Sequence, residues 1–388
     1  MHKIQLYNNI AQVGLDHFDT DFEVAEDIEN PDGIVVRSAN LHELAYNPEL
    51  KAIARAGAGV NNIDLEACTE RGIVVFNTPG ANANAVKELV FTSLLLASRD
   101  VLGGIEWCRT QGDNDNLPKD VEKQKKLYAG NELQGKTLGI IGLGAIGVQV
   151  ANLALRFGMR VYGYDPYMSI DAAWSLSRYV HHATTVEEIY RNADFITIHV
   201  PQNDKTAGWI NKETIAQMKP GVKILNMARG GLVVDQDILA ALDEGKVGAY
   251  ITDFPNKDLV KHEKVIPIPH LGASTEESED NCAIKAVQEI SEYLKYGNII
   301  NSVNMPNARL DDNPDCAARI GVFHQNVPKM ISKISDTFSQ LNINIENMVN
   351  KSRKEVAYTL LDLVQEPGKD IIKELEAVEG IIRVERFK

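Results

Sequence analysis

The sequence predicts an α/β protein: two parallel sheets, each doubly wound with helices on both faces, then a small unit of order βαββαβ. Three observations lead there. Short apolar runs alternate with helical stretches through the first hundred residues. A second alternating block follows, with six apolar runs, enough for a complete doubly wound sheet. Beyond residue 318 the pattern changes, with paired strand-like runs flanked by two helical ones.

In the first block, "GIVVRSAN", "LKAIARAGAG" and "GIVVFNTPG" each place an apolar run before a polar or glycine-rich turn, as buried parallel strands do. In the second, the strands are "KTLGIIGLGAIG", "MRVYGYDP", "ADFITIHVP", "VKILNMARGG", "VGAYITDFP" and "KVIPIPHLGAST". Residues 276–296 read as one long helix ending near Gly297. A Pro-, Asn- and Asp-rich linker comes next. In the last block "ARIGVF" is strand-like, and Met330, Ile331, Ile334, Phe338 and Leu341 recur at helical spacing. "INIENMVNKS" and "EVAYTLLDLV" form a hairpin, "DIIKELEAV" a helix and "IIRVERF" a last strand, giving an antiparallel sheet with helices on one face. The expected boundaries are 1–98 completed by 279–305, then 99–278, a linker at 306–317, and 318–388.

At 388 residues, a scale of roughly 150 per domain gives two or three domains. The net charge of −14 argues against nucleic acid and anionic membranes as partners, while leaving room for local basic pockets that take a small anion. Cys68, Cys108, Cys282 and Cys316 are far apart and form no CxxC pair, so reduced thiols are expected and no metal site. "MHKIQLYNNI" lacks a signal-peptide pattern and no apolar run reaches membrane-spanning length, so the expected location is the cytoplasm.

"GLGAIG" sets Gly142, Gly144 and Gly147 between a strand and a helix. Glycines there permit the tight turn, let backbone approach a pyrophosphate and allow close helix packing, and the helix N-terminus favours negative charge. The next strand ends in Asp165, 21 residues after Gly144, where a carboxylate can bond ribose hydroxyls and repel a 2′-phosphate. Pro166 and Tyr167 supply no cation for such a phosphate, so NAD is favoured over NADP. Alternatively the stretch is a plain turn with Asp165 as a helix cap.

Arg229 in "NMARGG" brings a planar, non-titrating fork to a strand end in the expected ligand crevice, which suits bidentate capture of a carboxylate. The competing reading is a structural ion pair, for instance with Asp235. His270 in "PIPHLGAST" sits at the end of a later strand and suits proton transfer in alcohol oxidation. A lone histidine is more often structural; together with Arg229 it points to chemistry.

"GLGAIG", "ADFITIHVP", "NMARGG" and "PHLGAST" together resemble the NAD-dependent D-2-hydroxyacid dehydrogenases, over nearly the whole chain. The resemblance implies that the first block binds substrate, that the middle block is a Rossmann domain holding NAD, and that the last is similar to an ACT regulatory domain. It makes Arg229 the binder of the substrate carboxylate and 2-oxygen, and His270 the acid/base. Cofactor contacts would come from Gly142, Gly144, Ala145, Ile146, Gly147, Asp165, His199, Val200, Pro201, Met227, Ala228 and Gly272. The family's nicotinamide-side aspartate, in "LDVF", corresponds to Asp253 in "ITDF".

Arg37 in "VVRSAN" and Arg55 in "IARAGAG" match phosphate-binding arginines of the branch that oxidises D-3-phosphoglycerate to 3-phosphohydroxypyruvate, the entry to serine synthesis. The amides of Gly57, Ala58, Gly59 and Val60 would take the other carboxylate oxygen, and Lys87 would add an anion contact. In the ACT-like unit, His324, Asn326 and Asn344 match residues that bind serine as a feedback effector across a pair of such domains. A homodimer or homotetramer follows. The competing expectations are a dehydrogenase for an unphosphorylated acid such as glycerate, and a non-catalytic NAD-sensing scaffold of the corepressor kind.

One departure stands out. Relatives carry a glutamate after "DVFP" that hydrogen-bonds the catalytic histidine. Here "DFPNKDL" puts Lys257 at that position with Asp258 beside it, so either Asp258 is the candidate partner through a shifted loop or His270 is managed differently in this branch.

Overall fold

The computed structural model describes residues 1–368 and 370–387, so the expected domain end at 388 lies outside the described residues. The chain divides into two compact units: Met1–Asn82 together with the residues from Glu276 onward, and Ala83–Thr275 between them.

In the first unit, β1 (His2–Tyr7), β2 (Phe22–Ala25), β3 (Gly33–Val36), β4 (Ala52–Arg55) and β5 (Val74–Asn77) form an all-parallel sheet of order β2-β1-β3-β4-β5. β3 is buried at every position, as expected where both faces are covered. The helix Glu276–Tyr296 covers one face, burying Cys282, Ala283, Ala286, Val287, Ile290, Tyr293 and Leu294. Gly297, at φ 72°, ends it in the left-handed conformation that closes helices, its N–H bonding Tyr293 O at 2.8 Å.

The second unit holds β6 (Thr137–Ile141), β7 (Arg160–Tyr164), β8 (His181–His182), β9 (Phe195–Ile198), β10 (Val222–Asn226), β11 (Val247–Thr252) and β12 (Val265–Pro267). All run parallel in the order β12-β11-β10-β9-β6-β7-β8, the doubly wound arrangement in which the strand order reverses beside β6. The six runs read from the sequence are all strands. The seventh, β8, is two exposed histidines at the sheet edge, too short to carry a periodicity.

The C-terminal part joins β13 (Ala318–Gln325), β14 (Ile345–Arg353), β15 (Val356–Leu363) and β16 (Ile381–Arg386) into an antiparallel sheet of order β14-β15-β13-β16. Helices Met330–Gln340 and Ile371–Glu376 pack on one face through Ile334, Phe338, Ile371 and Leu375. The other face is covered as well: Phe323, Tyr358 and Leu360 share a core with Phe76, Tyr293 and Leu294 of the first sheet and its long helix. Tyr358 Oη donates to Gly297 O at 2.9 Å, and Arg353 Nη1 to Ser302 O at 2.8 Å. The buried pair Arg319–Asp362 lies at the same junction, with Arg319 Nη2 also reaching Asp311 O. Among the described residues no helix is long and apolar enough to cross a membrane.

Candidate active site

The glycine turn after β6 is built as a cradle. Gly142 has φ 98°, and a Cβ there would lie 2.5 Å from His199 O. Gly147 is pinned in the same way, since a Cβ would meet Gly142 O at 2.0 Å. A Cβ on Gly144 would meet nothing within 4 Å among the described residues. That open space stands at the N-terminus of helix Ala145–Arg156, where unpaired amides and the helix dipole favour an anion. Asp165, just past β7, accepts from Leu143 N and Tyr167 N, each at 2.8 Å, so one carboxylate ties the turn to the end of the neighbouring strand. Both oxygens keep lone pairs for further donors.

His199 follows β9, and its backbone N–H bonds Ile141 O at 2.7 Å. Its Nε2 lies 3.0 Å from Thr197 Oγ1, while Nδ1 is buried without a partner among the described residues. Burial pushes the imidazole down to about 4, so the ring is neutral at physiological pH. Val200 packs beside Gly142, and Pro201 O accepts from Thr206 Oγ1 at 2.6 Å. An open cradle at a helix N-terminus, a carboxylate at the next strand end and an unpartnered ring nitrogen suit a dinucleotide with a free ribose 2′-hydroxyl.

At the end of β10, Met227 is buried, Ala228 is partly buried, and Arg229 turns outward. Arg229 Nη1 donates to Ala228 O at 2.7 Å, and its Cζ stands 6.0 Å from the Phe254 ring centroid. The guanidinium pairs with no carboxylate among the described residues. Asp235, the alternative partner raised by the sequence, accepts from Asn256 Nδ2 at 2.6 Å instead. The backbone of Arg229 is fixed by Asn226, which is 0% exposed. Asn226 Oδ1 accepts from Ala228 N at 3.2 Å and Arg229 N at 3.3 Å, and its Nδ2 donates to Arg229 O at 2.8 Å. Sequence reasoning missed Asn226. Its signal is an amide directly after the apolar pair Ile224–Leu225 and before Met227, where a buried polar group needs a specific set of partners.

His270 follows β12 with φ 54°, a left-handed conformation rare for a residue with a side chain. Its ring centroid lies 4.7 Å from that of Phe254, at an interplanar angle of 50°. Phe254 is thus in ring contact with His270 and within cation–π reach of Arg229, another role that sequence reasoning did not assign. Asp253 is buried next to it, and Gly272 lies against its carboxylate. Lys257 and Asp258 are both exposed, and Asp258, 58% exposed at its side chain, pairs with Lys261 at 3.4 Å. Asn256 Oδ1 caps this turn by accepting from Asp258 N and Leu259 N, which holds Asp258 outward and in no bond with His270.

The remaining candidates are in the other unit, with one exception. Arg55 Nε donates to Arg37 O at 2.9 Å, and the Arg55 guanidinium folds over Gly57, where a Cβ would lie 1.8 Å from Nη1. Arg37 itself is ion-paired with Glu279 on the helix Glu276–Tyr296. The amides of Ala58, Gly59 and Val60 donate to no acceptor among the described residues, which leaves an anion-ready turn beside the two arginines. Lys87 is the exception: it lies in helix Ala83–Ser98 of the second unit, bonded to Asn84 along its own helix.

In the C-terminal sheet, His324 is 2% exposed, with Nε2 within 3.2 Å of Asn350 Oδ1 and 3.0 Å of Thr359 Oγ1. Asn326 Nδ2 donates to Lys354 O at 2.9 Å. Asn344 precedes β14 at the opposite end of the sheet, its carbonyl accepting from Val364 N at 3.2 Å. Within one chain the structure does not bring Asn344 to the other two.

Residues 91–272 match the family described as D-isomer specific 2-hydroxyacid dehydrogenase, NAD binding domain. The chain is 39% identical over 313 residues to D-3-phosphoglycerate dehydrogenase of Methanocaldococcus jannaschii, covering 78% of this chain and 57% of that one. It is 34% identical over 328 residues to the enzyme of that name from Bacillus subtilis, covering 82% and 59%. It therefore spans little more than half the length of these curated relatives. Among solved structures, NAD+-bound 3-phosphoglycerate dehydrogenase of Entamoeba histolytica superposes with a TM-score of 0.59 at 26% identity, covering 78% of this chain and 98% of that one. The glycine cradle, Asp165, Arg229 and His270 all lie inside the matched region, so residues 91–272 belong to the family of D-isomer specific 2-hydroxyacid dehydrogenase NAD binding domains.

Proposed function

We propose that this chain oxidises D-3-phosphoglycerate to 3-phosphohydroxypyruvate with NAD. The observation that carries the reading is Arg229, a guanidinium at a strand end that pairs with no carboxylate among the described residues and is fixed through its backbone by a buried asparagine. A cation held in that way suits a carboxylate brought by the substrate. NAD, held by the glycine turn, Asp165 and His199, supplies the hydride acceptor. Arg229 orients the substrate carboxylate and the oxygen on the second carbon. His270 takes the hydroxyl proton as the hydride leaves that carbon, so a C–H and an O–H bond break and a carbonyl forms. We assign the phosphate to Arg37 and Arg55 and the second carboxylate oxygen to the amides of residues 57–60, with Lys87 as an additional anion contact. The similarity to proteins named D-3-phosphoglycerate dehydrogenase supports this choice of substrate.

The C-terminal sheet is assigned a regulatory role as an ACT-like unit. Serine is its effector, held by Asn326 and Asn344 from two copies of the chain in a homodimer or homotetramer. His324 joins them only if its ring leaves Asn350 and Thr359. The second substrate reading, an unphosphorylated acid such as glycerate, draws on the Arg37–Glu279 pair, which neutralises one of the two phosphate-directed charges.

The test is NADH formation with 3-phosphoglycerate and with glycerate, each with and without serine. Turnover of the phosphorylated acid alone is expected. Turnover of neither overturns the activity, preference for glycerate overturns the phosphate assignment, and indifference to serine removes the effector alone.

A further inference from the structure

We propose that Asp253 is the positioning residue for His270, and that it acts through the backbone. The inference rests on the reading of His270 as the acid/base. Asp253 follows β11 and is 1% exposed, its own N–H bonded to Asn226 O at 3.1 Å. Its two oxygens go to two successive amides: Oδ1 accepts from Leu271 N at 2.7 Å and Oδ2 from Gly272 N at 2.8 Å. Those are the two residues directly after His270. A residue with a side chain in the left-handed region costs free energy, and a loop that contains one relaxes unless its surroundings hold it. The clamp on residues 271 and 272 supplies that hold.

Gly272 is part of the device. A Cβ there would lie 3.0 Å from Asp253 Oδ2, so any side chain pushes the carboxylate away. The next residue in the chain completes it, because the Phe254 ring meets the imidazole directly. One dipeptide, Asp253–Phe254, thereby grips both the backbone and the ring of His270. The side chains at the downstream position do neither: Lys257 is exposed and Asp258 faces Lys261. Charge-assisted hydrogen bonds to a buried carboxylate are strong and directional, which is what fixing a reactive ring requires.

The experiment compares wild type with Asp253→Asn, whose amide accepts one of the two N–H groups and opposes the other. Two readouts are needed. Amide hydrogen exchange at residues 271–272, measured without substrate, is expected to accelerate by on the order of tenfold or more. Turnover is expected to fall by on the order of 100-fold, as for a misplaced reacting group, while KM for the acid stays within about twofold. Gly272→Ala, which disturbs the clamp from the other side, is expected to speed exchange at Leu271 and keeps the proposal testable should the asparagine variant not fold. Unchanged exchange in both variants overturns it. So does wild-type turnover alongside accelerated exchange, which marks a clamp that does not position His270, or a rise in KM for the acid equal to the fall in turnover, which marks a merely structural residue. If wild type oxidises neither acid, the functional reading falls while the exchange readout still decides the clamp.

Discussion

Glu289 offers a test of the folded state that needs no catalytic assay. It lies in helix Glu276–Tyr296 at 7% exposure, its Oε1 accepting from Asn301 Nδ2 at 2.7 Å while Oε2 has no partner among the described residues. Lys285, one turn earlier, attracts it only weakly, and that ammonium is already bonded to Pro79 O. Burial therefore dominates and pushes the carboxyl from 4.5 up to about 7. The folded protein holds this proton more tightly than the unfolded chain. Its contribution to stability is fully present below pH 4.5 and is lost as pH rises toward 7. A gap of about 2.5 pKa units at 1.36 kcal/mol each corresponds to a loss of about 3 kcal/mol across that window.

Glu289→Gln keeps the acceptor for Asn301 and removes the ionisation. Its stability relative to wild type is expected to be constant below about pH 4.5, to rise through the window, and to level off about 3 kcal/mol higher above pH 7. The assay is urea unfolding at stepped pH, followed by hydrogen exchange of peptides from the helix, which reports on this unit alone. A difference between variant and wild type that stays flat from pH 4.5 to 8 would refute the argument, because a carboxylate indifferent to burial cannot be the one described.

Three further outcomes are expected. Asn226→Ala leaves Ala228 N and Arg229 N without their partner and takes one of two donors from Arg229 O, which keeps Leu232 N; at about 1 kcal/mol per bond the cost is about 2–4 kcal/mol, seen as a lower melting temperature together with reduced turnover. Arg319→Met strands Asp362, which is 0% exposed, and costs about 3–5 kcal/mol in denaturant unfolding, whereas adding Asp362→Leu returns much of the loss. Asp165→Ser removes the acceptor for Leu143 N and the charge facing a 2′-phosphate, so NAD affinity falls by on the order of tenfold and the NAD-to-NADP preference narrows in fluorescence titrations.

The parallel sheets were legible because their central buried strands are apolar runs that stop at a glycine or polar turn; β3, β6 and β9 show this plainly. Arg229 and His270 were legible for the same reason, since a strand end in a doubly wound sheet is where ligands are met. The support for His270 was not. Asp253 reaches residues 271 and 272 across a gap of 18 and 19 positions, and no local pattern records which carboxylate closes that distance. Spacing alone directed attention to Lys257 and Asp258, where the capping by Asn256 turns both into solvent-facing residues of a short turn.

The C-terminal sheet shows what a misjudged environment does to a functional reading. An antiparallel sheet with helices on one face leaves polar groups on the other free for a ligand, and His324 fits that picture. β13, however, is buried at every position from Ala318 to His324, because Tyr293 and Leu294 of the long helix cover the second face. A histidine in such a strand must satisfy its nitrogens internally, and His324 does so with Asn350, Thr359 and Gln325 O. A ligand that recruited it would have to replace those bonds. One bound at the strand end, beside Asn326, need not. The same covering explains why the strand is closed off: Tyr293 and Leu294, in one core with Tyr358 and Phe323, belong to the last turns of the helix whose first turn carries Glu279, the partner of Arg37.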